Sequence, residues 1–269
     1  MHHRGEVRID RSPFWISVVT IAVFIAVDQS NGPLYRLVRG ESEGLPQLLT
    51  LAAVIYGSMT LIPALVAAWL FGPKRIPRAL GLEGDVLVGF GFAFAVTSVM
   101  LAYFALTSPL AIPDEPVQTL VRGAVLPGFG EELFYRAFLF GFLFRFARWG
   151  FLPAALLVAG LFGAAHLYQS SSASEALGIF AITGMGAVWF AWLYTEWDFN
   201  IWVPTGFHML MNAWWELFAV SDSALGPMGA NLVRLLVIVL SVVLTVVLIK
   251  RRDGQRTVRG VAWLRGPTR

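Results

Sequence analysis

The sequence predicts an all-α fold, a polytopic membrane bundle of about eight transmembrane helices. Of its 269 residues, 57% are hydrophobic and only 14% are charged, and the mean hydropathy is +0.68. Soluble chains contain about 25% charged residues, and here the deficit extends over most of the chain rather than over a single anchor. No internal repeat or long linker is visible. We therefore expect one integral membrane domain over residues 1–269.

Eight apolar runs have lengths near the roughly 20 residues that a helix needs to cross the hydrocarbon core. They lie at 13–28, 47–71, 86–107, 118–146, 151–168, 176–195, 199–220 and 229–250. The first run follows three arginines and resembles the start of a secretory signal. No convincing small-residue cleavage site follows it, so we expect it to remain as a membrane anchor.

Lysines and arginines predict the orientation of these spans. Eight spans place both termini on the same side, and the cytoplasmic side carries the excess of basic loop residues. Three basic residues, Arg36, Arg39 and Arg122, fall on one side. Fifteen fall on the other side, at 4, 8, 11, 74, 75, 78, 145, 148, 250, 251, 252, 256, 259, 265 and 269. The sequence thus predicts a multi-pass protein of the cell membrane with both termini in the cytoplasm.

The formal net charge is +3, and the basic residues are concentrated in the tails and in short loops. Because the basic residues lie in tails and short loops beside apolar spans, their expected partner is anionic lipid rather than nucleic acid. The segment 251–269 is predicted to be a basic cytoplasmic tail, mobile on the lipid surface. Cysteine is absent, which excludes disulfides and thiolate catalysis and weakens any zinc site built on sulfur ligands.

Charged residues inside the fourth span give the first indication of chemistry. Glu131 and Glu132 are followed by Arg136 in an otherwise apolar run. Burying one ionised group in a bilayer costs about 2.5–3.5 kcal/mol on insertion scales, so such groups need partners and commonly mark functional sites. The preceding stretch 126–130, Leu-Pro-Gly-Phe-Gly, predicts an interruption of the span, with a helix restarting at Glu131.

The spacing within this segment predicts a division of labour. Glu132 and Arg136 are four residues apart, so they face the same side of a helix and can form a buried ion pair. Glu131 points about 100° away, which leaves it available for chemistry. The alternative is that both carboxylates share Arg136 for packing alone.

Two later spans contain histidines at similar spacing. Phe162 precedes His166 by four residues, and His208 precedes Asn212 by four. A histidine and a carboxamide on one helical face can donate two hydrogen bonds to a developing negative charge, as in an oxyanion hole. Taken singly, a histidine such as His166 near the end of a span is more often an interfacial or hydrogen-bonded residue than a catalyst. For Asn212 alone, a hydrogen bond to a neighbouring helix is the favoured interpretation.

Together, these three segments resemble the motifs of the CAAX prenyl protease and bacteriocin-processing family of intramembrane proteases. The motifs are E-E-x-x-x-R, F-x-x-x-H and H-x-x-x-N, found here in this order within a catalytic core of about 118–220. Each motif is weak alone, and their order on successive spans makes the resemblance specific. The first three spans and the tail agree with the family only in length and number.

The resemblance implies an intramembrane endopeptidase. In this interpretation Glu131, assisted by His166, deprotonates a water that attacks a peptide carbonyl. His208 and Asn212 stabilise the oxyanion, while Glu132 and Arg136, with Phe162, support the site. The substrate would be a peptide or a membrane-protein segment, and nothing in the motifs requires it to be prenylated.

A divalent metal such as zinc is an open alternative, because Glu131, His166 and His208 could supply three ligands and leave a fourth position for water. That mechanism would make the chain a metalloprotease, although the H-E-x-x-H pattern of many zinc proteases is absent. We favour glutamate with histidine over an obligatory metal. A non-catalytic immunity or scaffold protein with the same fold is the main rival.

Overall fold

The computed structural model describes residues 11–41, 43–251 and 254–266. The basic residues Arg4, Arg8, Arg252 and Arg269, which contribute to the predicted orientation, lie outside these ranges. The described residues form eight long helices. They are α1 (Pro13–Arg39), α2 (Gly44–Phe71), α3 (Val86–Thr107), α4 (116–146), α5 (Phe151–Ala165), α6 (Ala173–Glu196), α7 (Trp202–Leu217) and α8 (Met228–Arg251).

Several of these helices begin at a recognisable cap. Ser12 precedes α1, and its hydroxyl accepts a hydrogen bond from the backbone N–H of Trp15. Asp85 caps α3 through Val88, and Ser172 caps α6 through Glu175. Such side chains satisfy N–H groups that have no partner inside the helix. The starts of these helices are therefore encoded locally.

The number of helices agrees with the predicted bundle, but only six described helices are both long and apolar enough to cross a membrane individually: α1, α2, α3, α5 with the turn after it, α6 and α8. The other two helices, α4 and α7, do not meet this criterion. Helix α7 has only 16 residues, and α4 contains the three charges of the Glu131 segment. All nine residues from 132 to 140 are buried, so α4 is a central helix covered by its neighbours.

Two hydrophobic clusters divide the bundle. The first surrounds α4 with residues of α1, α2, α5 and α6. The second joins α3 and α8 to α7, and α6 contributes to both clusters. Helices α4 and α7 also pack directly against each other. A polar site shared by α4 and α7 therefore lies where the two clusters meet.

The predicted interruption before Glu131 is wrong, because α4 is continuous from 116 to 146 with wide π-helical turns at 121–125, 132–140 and 142–146. Pro127 lacks the N–H that would normally bond the Gly123 carbonyl. Asn212 of α7 supplies a donor instead, with its Nδ2 2.9 Å from that carbonyl oxygen. A bond from another helix thus compensates for the proline.

The glycines beside Pro127 allow close packing rather than a break. A Cβ at Gly128 would clash with Met209 of α7, including its backbone. A Cβ at Gly130 would lie 2.5 Å from the ring of Tyr56 on α2. Because glycine has no side chain, α2 and α7 can approach the segment just before the glutamates.

Loop contacts show that the helices alternate in direction. At one end, Arg145 donates to the carbonyls of Arg78 and Ala79, and the Ile201 N–H donates to Gly81. At the opposite end, the backbone N–H of Ala111 donates to the carbonyl of Leu217. Loops predicted to share a membrane side therefore lie together. We call the first end, which includes 72–85, 146–151 and 196–202, the basic end.

The expected mobile tail is instead docked on the basic end over residues 254–266. Glu196, at the end of α6, accepts hydrogen bonds from the backbone N–H groups of Thr257 and Val258 at 3.1 and 2.9 Å. The Val258 side chain is buried, and Trp263 packs edge-on against Phe151 at 5.4 Å. The interspersed apolar residues explain why the arginine-rich tail binds to the protein.

Candidate active site

The site is built around Glu132, which contacts two oppositely located groups. Its Oε2 lies 3.2 Å from Nε of Arg136, an ion-pair contact without good hydrogen-bond alignment, and both side chains are fully buried. Its Oε1 lies 2.7 Å from Nδ1 of His208. The predicted Glu132–Arg136 ion pair is therefore confirmed. The contact with His208, on a distant helix, was not predicted.

Arg136 is held by aromatic rings as well as by Glu132. Its guanidinium carbon lies 4.3 Å from the Phe162 ring centroid and 5.3 Å from that of Phe190. Nη1 and Nη2 find no hydrogen-bond acceptor among the residues described. Because a guanidinium interacts favourably with the face of an aromatic ring, the two phenylalanines provide part of its stabilisation. The sequence did not indicate a contact between Phe190 and Arg136, because Phe190 lies in an ordinary apolar run.

Glu131 differs from its neighbour because it has no ion-pair partner in direct contact. Its side chain is 17% exposed, and its Oε2 is buried without a hydrogen-bond donor in the described part of the chain. The closest titratable nitrogen is Nε2 of His208, 4.0 Å from Oε2. This distance is too long for a direct hydrogen bond, but one oxygen atom of a water or a substrate can contact both groups.

His208 connects the two glutamates through its two ring nitrogens. Since a carboxylate only accepts hydrogen bonds, the contact with Glu132 assigns a hydrogen to Nδ1. Nε2 then faces Glu131. Glu132 fixes the orientation of the ring, and the His208 side chain is 11% exposed.

His166 lies at the end of α5, where its Nδ1 contacts the carbonyl oxygen of Phe162 at 2.8 Å. The carbonyl can only accept, so Nδ1 carries the hydrogen, and Nε2 of the neutral ring is free to accept. Among the described residues, no carboxylate oxygen lies within 4.0 Å of a His166 ring nitrogen, whereas His208 has two such contacts. The structure thus places His166 beside Phe162 and not within ion-pair distance of Glu131.

Asn212 lies on the same face of α7 as His208, one turn further along. Its Nδ2 donates to Gly123, so one of its two amide hydrogens is already used in joining α7 to α4. The alternative of a helix–helix hydrogen bond is therefore realised. The other amide hydrogen is available, and a role in an oxyanion hole stays a prediction.

The residues do not fit a metal site. The described chain contains no group of three His, Asp or Glu side chains placed to hold a metal ion, and the proposed ligands Glu131, His166 and His208 do not form one. The metalloprotease alternative is not supported by this geometry.

Comparison with protein families identifies the segment that contains this site. Residues 113–214 match the family described as type II CAAX prenyl endopeptidase Rce1-like. This match supports the assignment of the segment to the CAAX prenyl protease family. The match covers the region from the loop before α4 to most of α7, close to the predicted core of 118–220, and includes every predicted site residue. Searches of curated proteins and of solved structures give no match.

The CAAX protease assignment agrees with the fold. Six helices among the described residues are apolar enough to cross a membrane. Together with the match to a membrane-protease family, they indicate a multi-pass membrane protein that acts on a peptide or protein. The matched segment includes α4 and most of α7, the two long helices that are not among those six. These two helices provide Glu131, Glu132, Arg136 and His208.

Proposed function

We propose that the protein is an intramembrane endopeptidase in which Glu131 activates a water molecule. The observation that supports this most directly is the buried, unpartnered Oε2 of Glu131, 4.0 Å from Nε2 of His208. A buried carboxylate oxygen without a donor is costly. A bound water or substrate oxygen would satisfy it at the position where a base is needed.

In the first step, Glu131 accepts a proton from this water while the oxygen forms a bond to the peptide carbonyl carbon. The carbonyl oxygen becomes an oxyanion. His208 donates to it from Nε2, which requires the imidazolium form with hydrogens on both ring nitrogens, since Nδ1 donates to Glu132. The remaining amide hydrogen of Asn212 is a second candidate donor. Glu132 orients His208 throughout, because it holds Nδ1.

In the second step, the tetrahedral intermediate collapses and the carbon–nitrogen bond breaks. Glu131 returns its proton to the leaving nitrogen, so the products are a carboxylic acid and an amine and the glutamate is regenerated. We propose that His166 assists through Nε2, since its Nδ1 is committed to Phe162. Arg136 balances the charge of Glu132 and holds the α4 side of the site in place.

We also propose that both termini are cytoplasmic and that the basic end contacts anionic lipid. Arg256, Arg259 and Arg265 are exposed or partly exposed on the docked tail. Each basic residue near an anionic membrane surface contributes about 1 kcal/mol to binding. The substrate would enter laterally or from the membrane surface, and a prenyl group on it is not required by the geometry.

The test is mass spectrometry of membrane peptides from cells that express wild type, Glu131→Gln or Glu41→Gln at matched abundance. The first variant keeps the size of the side chain and removes the base. The second changes an exposed glutamate and serves as the control. New peptide termini should appear with wild type and Glu41→Gln but not with Glu131→Gln. Identical profiles for all three, in cells that contain a physiological substrate, would favour the non-catalytic scaffold.

A further inference from the structure

A further carboxylate, Asp28, lies partly buried on α1, outside the segment matched to the family. Asp28 was predicted at the end of the first span, but α1 continues for eleven further residues to Arg39. Ionisable residues within membrane-crossing helices usually have a defined partner and a function. Asp28 has two such contacts, since its Oδ2 accepts from Gln29 at 2.9 Å and its Oδ1 from the Tyr135 hydroxyl at 3.4 Å.

Tyr135 connects Asp28 to the site. It precedes Arg136 on α4 and is only 2% exposed. One neighbour of its ring is Phe24 of α1, with centroids 5.1 Å apart. Another is Phe162, edge to face at 4.9 Å and 84°. The hydroxyl bond to Asp28 fixes the direction of the ring, and the aromatic contacts fix its position.

Phe162 in turn determines where His166 lies. Its carbonyl accepts the hydrogen bond from Nδ1 of His166, and the two rings are 4.4 Å apart. The Arg136 guanidinium lies over the Phe162 ring. Phe162 is therefore packed between the edge of Tyr135 and the charge of Arg136. Any rotation of Tyr135 would change the packing that holds the Phe162–His166 turn.

We propose that Asp28 is a positioning residue for the active site, acting through Tyr135 and Phe162 on His166. In this role α1 supplies the hydrogen-bond acceptor that orients Tyr135. The ordered ring keeps His166 with Nδ1 on the Phe162 carbonyl and Nε2 free. The proposal rests on the proposed peptidase function for its kinetic consequence, whereas the structural link can be tested without any activity.

The structural link can be tested by NMR of the full chain in lipid nanodiscs with isotopically labelled histidine rings. His166→Gln and His208→Gln would assign the two site histidines. Asp28→Ala and Tyr135→Phe should both shift the His166 ring signals and leave those of His208 in place. Asp28→Asn keeps an oxygen acceptor and should resemble wild type, as should Asp114→Asn in an exposed loop. Unchanged His166 signals in Asp28→Ala, or equal shifts at both histidines, would overturn the proposal.

The kinetic consequence is tested with a substrate identified by the peptide-terminus experiment. Asp28→Ala and Tyr135→Phe should each lower kcat by on the order of tenfold with KM unchanged, and Asp28→Asn should restore most of the rate. The double variant should lose no more than either single variant, because both break the same link. Additive losses, or an unchanged kcat, would contradict a positioning role. If wild type cleaves nothing, the peptidase proposal fails while the NMR result still decides the link.

Discussion

The two glutamates on either side of His208 differ in how many ion-pair and hydrogen-bond partners they have. On the Nδ1 side, Glu132 and Arg136 are fully buried, lie 3.2 Å apart and are enclosed by aromatic rings. On the Nε2 side, Glu131 is 17% exposed, 4.0 Å from the histidine, and its buried oxygen has no donor among the described residues. We call these the paired side and the open side.

This difference separates stability from chemistry within one short segment. Removing one partner of a buried ion pair leaves an uncompensated charge and is strongly destabilising. Neutralising Glu131 should cost little stability, because its buried Oε2 has no hydrogen bond to the described residues. The paired side should therefore control how much protein folds, and the open side should control how fast folded protein reacts.

The largest expected effect is the loss of activity in Glu131→Gln. The variant keeps the shape of the side chain but cannot accept a proton, so cleavage should fall by about 10²–10⁴-fold, the usual contribution of general acid–base catalysis. Its unfolding midpoint in mixed micelles should match wild type. Retention of full activity with an authentic substrate would show that Glu131 is not the base.

Arg136→Ala should give the opposite pattern. It leaves Glu132 buried without its ion-pair partner and removes the cation over Phe162, so the free energy of unfolding should fall by about 3–5 kcal/mol. Denaturant titration of purified protein and its abundance in membranes would both report the loss. Wild-type stability in this variant would remove the distinction between the paired and open sides.

Asn212→Ala tests whether the second residue of the H-x-x-x-N motif belongs to the open side or holds the helices together. Removing the donor to the Gly123 carbonyl should lower stability by about 1–3 kcal/mol, because Pro127 cannot replace it. Cleavage by the remaining folded fraction should be measured in parallel. A rate loss of 10² or more at unchanged stability would instead assign Asn212 to the oxyanion hole.

The smallest effect on activity is expected far from the site, at the docked tail. Glu196→Ala removes the acceptor of two backbone N–H groups and should weaken docking by roughly 1.5–3 kcal/mol, the range for hydrogen bonds to charged groups. Limited trypsin digestion should then cut faster at Arg256 and Arg259, with peptidase activity little changed. Glu175→Ala is the control, because Glu175 is also acidic but makes none of the hydrogen bonds to the tail. Equal digestion rates would show that Glu196 does not hold the tail.

Much of this organisation follows from local sequence. The apolar runs predicted the helices because length and hydrophobicity determine what a bilayer accepts, and the Glu132–Arg136 pair followed from a spacing of four residues. The same reasoning was wrong at Pro127, where it predicted a break. The bond that prevents the break comes from Asn212, 85 residues further along the chain, and no local pattern specifies such a partner.

The sequence by itself determined the membrane bundle, the family motifs and the identity of the candidate site residues, since these depend on composition and spacing along single helices. Only the tertiary structure decided which partner each residue has. It placed His208 between the two glutamates, kept His166 on the Phe162 carbonyl, brought Asp28 to Tyr135 and docked the tail on Glu196. Those contacts depend on how separate helices pack, because a side chain's neighbours across a helix interface are set by the whole bundle.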